Sequence, residues 1–326
     1  MDKFIMILAL AGLLLSCGGS KTNSSNAETN SEKKPVTLPE KLKAHVVWMC
    51  DQKPVRNFRN LKSMNECADY IKKHFEAVGL KVSFQEFEVQ GNTYKNVVTS
   101  VGPKDAPVIV VGAHYDVCSH TPGADDNASA VAGLIELAAM LKKSEEQLKY
   151  RVELVAYTLE EPPFFGTKQM GSYIHAESMK KAKVDLRMMF VLEMIGYFTD
   201  KEGSQKYPLP AMSKIYPNKG NFIALVSKLG SGEVLKNMKT VFASGSDIPI
   251  ETLAAPSFVQ GVDFSDHRNY WKFGYNAVMI TDTAFMHNKN YHQKTDTPDT
   301  LDYDKMAEVV KGTYKCIMDF DKLGVK

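Results

Sequence analysis

Five short runs of nearly unbroken apolar residues constrain this chain most: 108–113, 152–158, 188–195, 222–226 and 277–281. A strand with one wet face alternates apolar and polar residues. A strand covered on both faces reads as a continuous apolar stretch, which is the mark of a largely parallel sheet held between helices. Helical spacing appears around these runs. Residues 40–48 read as a short helix, and Leu61, Met64, Cys67, Ala68, Ile71, Phe75 and Val78 recur at three-and-four spacing with Gly79 placed to end a second one. Further helices are expected over about 129–141 and through Met306, Val309, Val310, Ile317, Met318 and Phe320, with extended segments at 82–89 and 96–101. The pattern predicts a single α/β domain over residues 39–326, a mixed but mostly parallel central sheet with helices on both faces.

Composition agrees with a buried core, since 44% of the 326 residues are hydrophobic and 24% charged. Forty basic against 38 acidic side chains leave +2, and no basic run is dense enough to track a phosphate backbone, which argues against a nucleic-acid partner. The oligomeric state is not set by the sequence.

The N-terminus speaks for a compartment. Behind Lys3, residues 4–15 are uncharged, whereas a membrane-spanning helix needs about 20 apolar residues. The run ends Leu14-Leu15-Ser16-Cys17-Gly18, which resembles the lipobox of bacterial lipoproteins. Residues 1–16 are therefore expected to be a signal peptide, Cys17 the lipidated residue, and the polar stretch 17–38 a flexible tether to a membrane of the bacterial cell envelope, on its periplasmic or surface face. In an oxidising compartment Cys50, Cys67, Cys118 and Cys316 allow three pairings, and their spacing is not that of a zinc finger.

Sites in such sheets lie at the carboxyl ends of the strands, and five polar clusters sit there. His114 and Asp116 end the first run. Two apart on an extended chain, they point the same way, so Asp116 can orient the imidazole; a plainly hydrogen-bonded histidine is the simpler account. Pro122-Gly123-Ala124-Asp125-Asp126-Asn127 is a glycine-led turn into a helix. An N-cap explains one acid there but not two, and a bound cation is one reason for keeping both. Glu160 and Glu161 follow the second run and face opposite ways, so one can bind a metal while the other reaches a water; a solvated loop start is the alternative. Glu193 is a carboxylate in an otherwise apolar run, costly unless partnered. Tyr291-His292 heads the last polar loop, which runs on through Asp296 and Pro298. Together these residue types suit a two-metal hydrolytic centre.

The series His114-x-Asp116, Pro122-Gly123-Ala124-Asp125-Asp126-Asn127, Glu160-Glu161, Glu193-Met194 and His292 resembles the co-catalytic dizinc aminopeptidases of metallopeptidase clan MH, which also holds glutamate carboxypeptidases and glutaminyl cyclases. The resemblance implies a zinc-exopeptidase fold and two Zn2+ per chain. It makes His114 and Glu193 ligands of one zinc, Glu161 and His292 ligands of the other, Asp126 the bridge, Glu160 the general base, and Asp116 the group that holds His114. Glu193 stands where aspartate is frequent in the family. Ser265-Asp266-His267 is similar to a family motif near the cleft, placing Asp266 there, and His267 is not the expected ligand. The other histidines, His45, His74, His120, His175 and His287, are expected to be structural or at the surface. The implied activity is release of N-terminal residues from a peptide substrate. A glutaminyl-peptide cyclotransferase with a single zinc is the alternative on the same fold. Residues 199–219, with Gly203, Pro208, Pro210 and Pro217, are expected to loop over the cleft and set side-chain preference.

Overall fold

The computed structural model describes residues 35–325; the predicted signal segment, Cys17 and the tether as far as residue 34 lie outside the described residues. The chain opens with helices α1 (Leu38–Cys50) and α2 (Leu61–Ala77), then β1 (Val82–Val89), β2 (Asn92–Val101), β3 (Val108–His114), α3 (Ala130–Lys143), β4 (Arg151–Tyr157), α4 (Gly171–Lys181) and β5 (Leu186–Glu193). It continues through β6 (Ile223–Lys228), α5 (Gly232–Ala243), β7 (Ile250–Ala255), α6 (His267–Lys272), β8 (Ala277–Thr281) and α7 (Tyr303–Met318). Helix α1 starts two residues before the predicted stretch, inside the segment read as tether. Thr37 and Glu40 form a reciprocal capping box and Pro39 fits the first turn, where its missing N–H costs nothing. Among the described residues no helix is long and apolar enough to cross a membrane.

The eight strands form one mixed sheet in the order β1-β2-β4-β3-β5-β8-β6-β7. Its centre, β4-β3-β5-β8, is parallel. The β1-β2 hairpin joins antiparallel at one side, and the parallel pair β6-β7 joins antiparallel to β8 at the other. Alternation along each strand divides its side chains between two cores. Ile109, Val111, Leu154, Phe190 and Ile280 pack with α1, α2, α3, α5 and α7. Val110, Val155, Tyr157, Val191 and Met279 pack on the opposite face with α4 and α6. Gly112 is needed in β3, because a Cβ there would stand 2.2 Å from the Tyr157 ring that lies across it. Four cysteines of the domain, Cys50, Cys67, Cys118 and Cys316, are free thiols.

One polar side chain ties the first two helices to the sheet's functional edge. Arg56, with 1% of its surface exposed, donates from Nε to the Tyr115 carbonyl at 2.9 Å. Its Nη1 donates to the carbonyls of Met49 (3.0 Å) and Pro122 (2.7 Å), and its Nη2 to that of Gly123 (2.6 Å). A buried guanidinium is tolerable only when its donors are satisfied in this way.

Candidate metal centre

Parallel strands all deliver their ends to one edge, and the predicted residues gather there. His114 is the last residue of β3 and Glu193 the last of β5. Glu160 and Glu161 follow β4 in a turn entered through Leu159 at φ +60°, Met194 after Glu193 sits at φ +46°, and His292 itself at φ +56°. Three non-glycine residues in the left-handed region, each at or beside a predicted site residue, mark a place where the fold tolerates backbone strain. Asp126 lies in the turn Ala124–Ser129 that leads into α3, with Gly123 ahead of it at φ +64°. A Cβ on Gly123 would stand 2.4 Å from the Asp126 carbonyl oxygen and 2.3 Å from Val117.

The two oxygens of Asp126 face different histidines. Oδ1 is 3.4 Å from His114 Nε2 and Oδ2 is 3.2 Å from His292 Nε2. Glu193 Oε2 is 3.5 Å from His114 Nε2, and Glu161 Oε2 is 3.2 Å from His292 Nε2. Glu160 Oε2 stands 3.8 Å from His114 Nε2. Zinc bonds of about 2.0–2.1 Å to nitrogen and oxygen put neighbouring donors of a tetrahedral site about 3.3–3.4 Å apart, so both donor sets have the right spacing. Among the described residues, His114 Nε2 and Glu161 Oε1 are buried atoms with no hydrogen-bond partner. The donors therefore point at common centres rather than at one another, and the residues fit metal ions. Two donor groups match the expected sets: His114, Asp126 and Glu193; and Glu161 and His292, here joined by Cys118.

Electrostatics points the same way. Burial first, and then the neighbouring Glu193, Glu161 and Asp266, push Glu160 well above the ordinary carboxylate range. Burial and Asp126 push Glu161 up to about 7. Burial disfavours charge on His114 and His292, yet the surrounding carboxylates raise both far above the usual imidazole range. Asp126, against its own burial, is held low by those two imidazoles. Without metal the cluster balances its charge by keeping protons. Asp126, Glu160, Glu161 and Glu193, all fully ionised, match the four positive charges of two divalent cations.

The supports differ from the expectation at one point. The Asp116 carboxylate is 3.6 Å from His114 Nδ1, whose closer partner is the Asp116 main-chain carbonyl at 3.1 Å. The carboxylate accepts instead from two successive amides, Glu160 N and Glu161 N, both at 3.1 Å. Asp116 thus holds the glutamate turn as well as standing beside the histidine. Asp296 repeats the device on the other side, accepting from Asp125 N at 2.9 Å and Asp126 N at 3.1 Å. The N-cap account of the aspartates gives way: Ser129, which precedes α3, makes no capping bond, and the Asp125 carboxylate accepts from Gly196 N (2.9 Å) and Asn288 Nδ2 (2.7 Å).

Sequence reasoning missed several supports. Ser265 Oγ donates to Glu193 Oε2 at 2.7 Å, Asn127 Nδ2 donates to the same oxygen at 3.3 Å, and Tyr291 stacks on His292 with ring centres 3.8 Å apart. Asp296 had a visible signal, its place in the polar loop headed by His292; Asn127 and Ser265 had only their adjacency to Asp126 and Asp266. Asp266 is fully buried, pushed up to about 7 by that burial, and close enough to His114 and Glu193 to respond to their charges. His267 stays out of the cluster, its Nε2 on the Val262 carbonyl at 2.8 Å and its ring edge-on to Trp271.

A cavity of about 800 Å³, counted out to its open mouth, adjoins the centre between Glu193 and Tyr291. Its walls include Met212, Phe222, Phe264 and Met279, and the 199–219 stretch supplies Tyr207 and Tyr216 as well as Met212.

Comparison with known proteins places these features in context. Residues 96–316 match the sequence pattern of Peptidase family M28. Uncharacterized protein YfbL of Escherichia coli is 45% identical over 282 residues, covering 84% of this chain and 86% of that one. Leucine aminopeptidase 1 of Ajellomyces dermatitidis is 25% identical over 230 residues, covering 67% of this chain and 54% of that one; the chain spans about half the length of this relative. Among solved structures, the zinc aminopeptidase BSAP of Bacillus subtilis superposes with a TM-score of 0.67 at 12% identity, over 87% of this chain and 95% of that one. Tannerella forsythia glutaminyl cyclase gives 0.64 at 18% identity, over 87% and 99%. At these identities the two structures establish a shared fold.

Proposed function

The chain belongs to Peptidase family M28, and we propose that it is a two-zinc aminopeptidase that removes N-terminal residues carrying large apolar side chains. The observation that carries this reading is Asp126, whose two oxygens each face a different histidine at 3.4 and 3.2 Å. That arrangement suits a bridging carboxylate between two ions, one held with His114 and Glu193 and the other with Glu161 and His292. A one-zinc cyclase would have no use for one of the two sets.

When bound, two zinc ions would polarise the scissile carbonyl and acidify a water at the site. The chain's own residues do the rest. Glu160, raised by burial and fixed through its backbone by Asp116, accepts the proton of the attacking water and returns it to the departing amine. Ser265 and Asn127 keep Glu193 turned toward His114. The apolar cavity beside Glu193 receives the first side chain of the peptide, where burial rather than charge selects it.

The test is the purified protein against N-free, N-blocked, C-amidated and N-terminal glutaminyl peptides, with zinc measured in parallel. Release of leucine or phenylalanine from free N-termini, C-amidated peptides included, with two zinc per chain, supports the reading. Cyclisation of glutaminyl peptides with one zinc overturns it in favour of the cyclase. We also propose attachment to an envelope membrane through Cys17, supported by the lipobox-like ending of residues 4–17. Cys17→Ala should release the protein from the membrane fraction, and unchanged association would refute attachment.

A further inference from the structure

Among the described residues, the one cysteine that is not buried in the core, Cys118, lies at the candidate metal centre. Cys50, Cys67 and Cys316 are buried, and burial pushes the first two thiols up to about 11 and about 12. Cys118 is only half-buried and follows Asp116 by two residues. Its Sγ, a carboxylate oxygen of Glu161 and a ring nitrogen of His292 all lie within 4.8 Å of one another.

A cysteine near two ligands is not in itself a site, but an independent feature points to a ligand at the same place. Glu161 is 3% exposed; its Oε2 faces His292 at 3.2 Å while its Oε1 is buried with no hydrogen-bond partner, so the glutamate of the Cys118 group has an oxygen that no protein donor uses. The other side is differently furnished: the donors around His114 are carboxylates, from Asp126, Glu160, Glu161 and Glu193, with no sulfur among them, and Glu193 is already engaged by Ser265 and Asn127.

We propose that Cys118 is a further protein ligand, through its thiolate, of the metal held by Asp126, Glu161 and His292. This rests on the two-metal reading above. Binding exchanges the thiol proton for the metal ion and releases the proton to solvent. A sulfur donor favours zinc, cobalt or cadmium over magnesium and manganese, which prefer all-oxygen surroundings. It also makes that metal, and not the one beside His114, sensitive to alkylation or oxidation of a single side chain.

The test is titration of the metal-free protein with cobalt(II) alone, followed by absorption. The expected result is a near-ultraviolet thiolate-to-cobalt charge-transfer band in the wild type that is absent in Cys118→Ser, with the visible ligand-field bands kept in both. Ligand-field bands without the charge-transfer band in the wild type would overturn the Cys118 assignment while leaving the two-metal reading standing; so would a band that persists in Cys118→Ser. Failure to bind cobalt at all would overturn both. In the wild type, zinc should slow alkylation of Cys118 by iodoacetamide, read by mass spectrometry of the intact protein. Equal alkylation with and without bound zinc would count against ligation even if the serine variant folded poorly. Competition with a chromophoric chelator should show one of the two zincs bound at least tenfold more weakly in Cys118→Ser, the other unchanged; two unchanged affinities would refute the proposal.

Discussion

The two donor sets that share Asp126 rest on different foundations. His114 and Glu193 end β3 and β5, strands hydrogen-bonded to each other in the centre of the sheet, and the His114 side chain is 1% exposed. Glu161 and His292 stand on connections beyond β4 and β8, and the His292 side chain is 27% exposed. The inner half is placed by the sheet itself, so its geometry comes with the fold. The outer half is placed by loops that carboxylates must pin, Asp116 holding the glutamate turn and Asp296 the aspartate turn. Loops give access at the cost of order, and under the two-zinc proposal the difference predicts an inner metal held firmly and an outer one lost more readily.

The largest effect should come from the residue that belongs to neither half. Glu160→Gln is expected to lower turnover by about 10² to 10⁴, the range of general-base catalysis, with zinc content unchanged. A matching loss of zinc would make Glu160 a ligand and redraw both sets. Next in size is the contrast between ligands. Glu161→Gln should leave a protein that holds one zinc, and mild chelation of the wild type should remove one zinc well before the second; simultaneous loss of both in the chelation series would abolish the distinction between the halves. Smaller again, Asp116→Asn keeps only one good acceptor for two amides and should weaken one zinc about 10- to 100-fold. Calorimetric titration showing both zincs equally weakened would mean that Asp116 serves His114 as much as the glutamate turn.

The smallest effect concerns the late histidine outside both halves. Burial lowers His267 to about 4 from its ordinary 6.5, so its neutral form is the one the fold favours. Its contribution is complete above pH 6.5 and is lost as pH falls toward 4, because the unfolded chain takes up the proton first. The melting temperature should decline over that interval and decline less in His267→Gln. Loss of zinc in that variant would exchange the roles of His267 and His292.

The sheet and the gathering of the candidate residues at its edge were legible for one reason: a parallel strand buried on both faces announces itself as an apolar run, and a carboxylate or imidazole at its end has no structural motive to be there. The same logic hid other parts. β7 is a half-buried outer strand with little apolar continuity, and α4 carries only a weak apolar face behind a loop containing two prolines, so neither shows a clear period. Asp296, Asn127 and Ser265 act on atoms contributed by distant segments. Nothing in their neighbourhood along the chain predicts which amide or oxygen they meet.

Arg56 carries a consequence for how far the molecule can be pared down. The helical pair ahead of β1 could pass for a detachable leader, yet a guanidinium from the segment between those helices caps the carbonyls of Pro122 and Gly123, which immediately precede the turn bearing Asp126. Excising that leader would strip the turn of its donors and bare the α1 and α2 side of one core. The smallest piece able to keep the candidate centre intact therefore begins upstream of the sheet, at the capping box of Thr37 and Glu40.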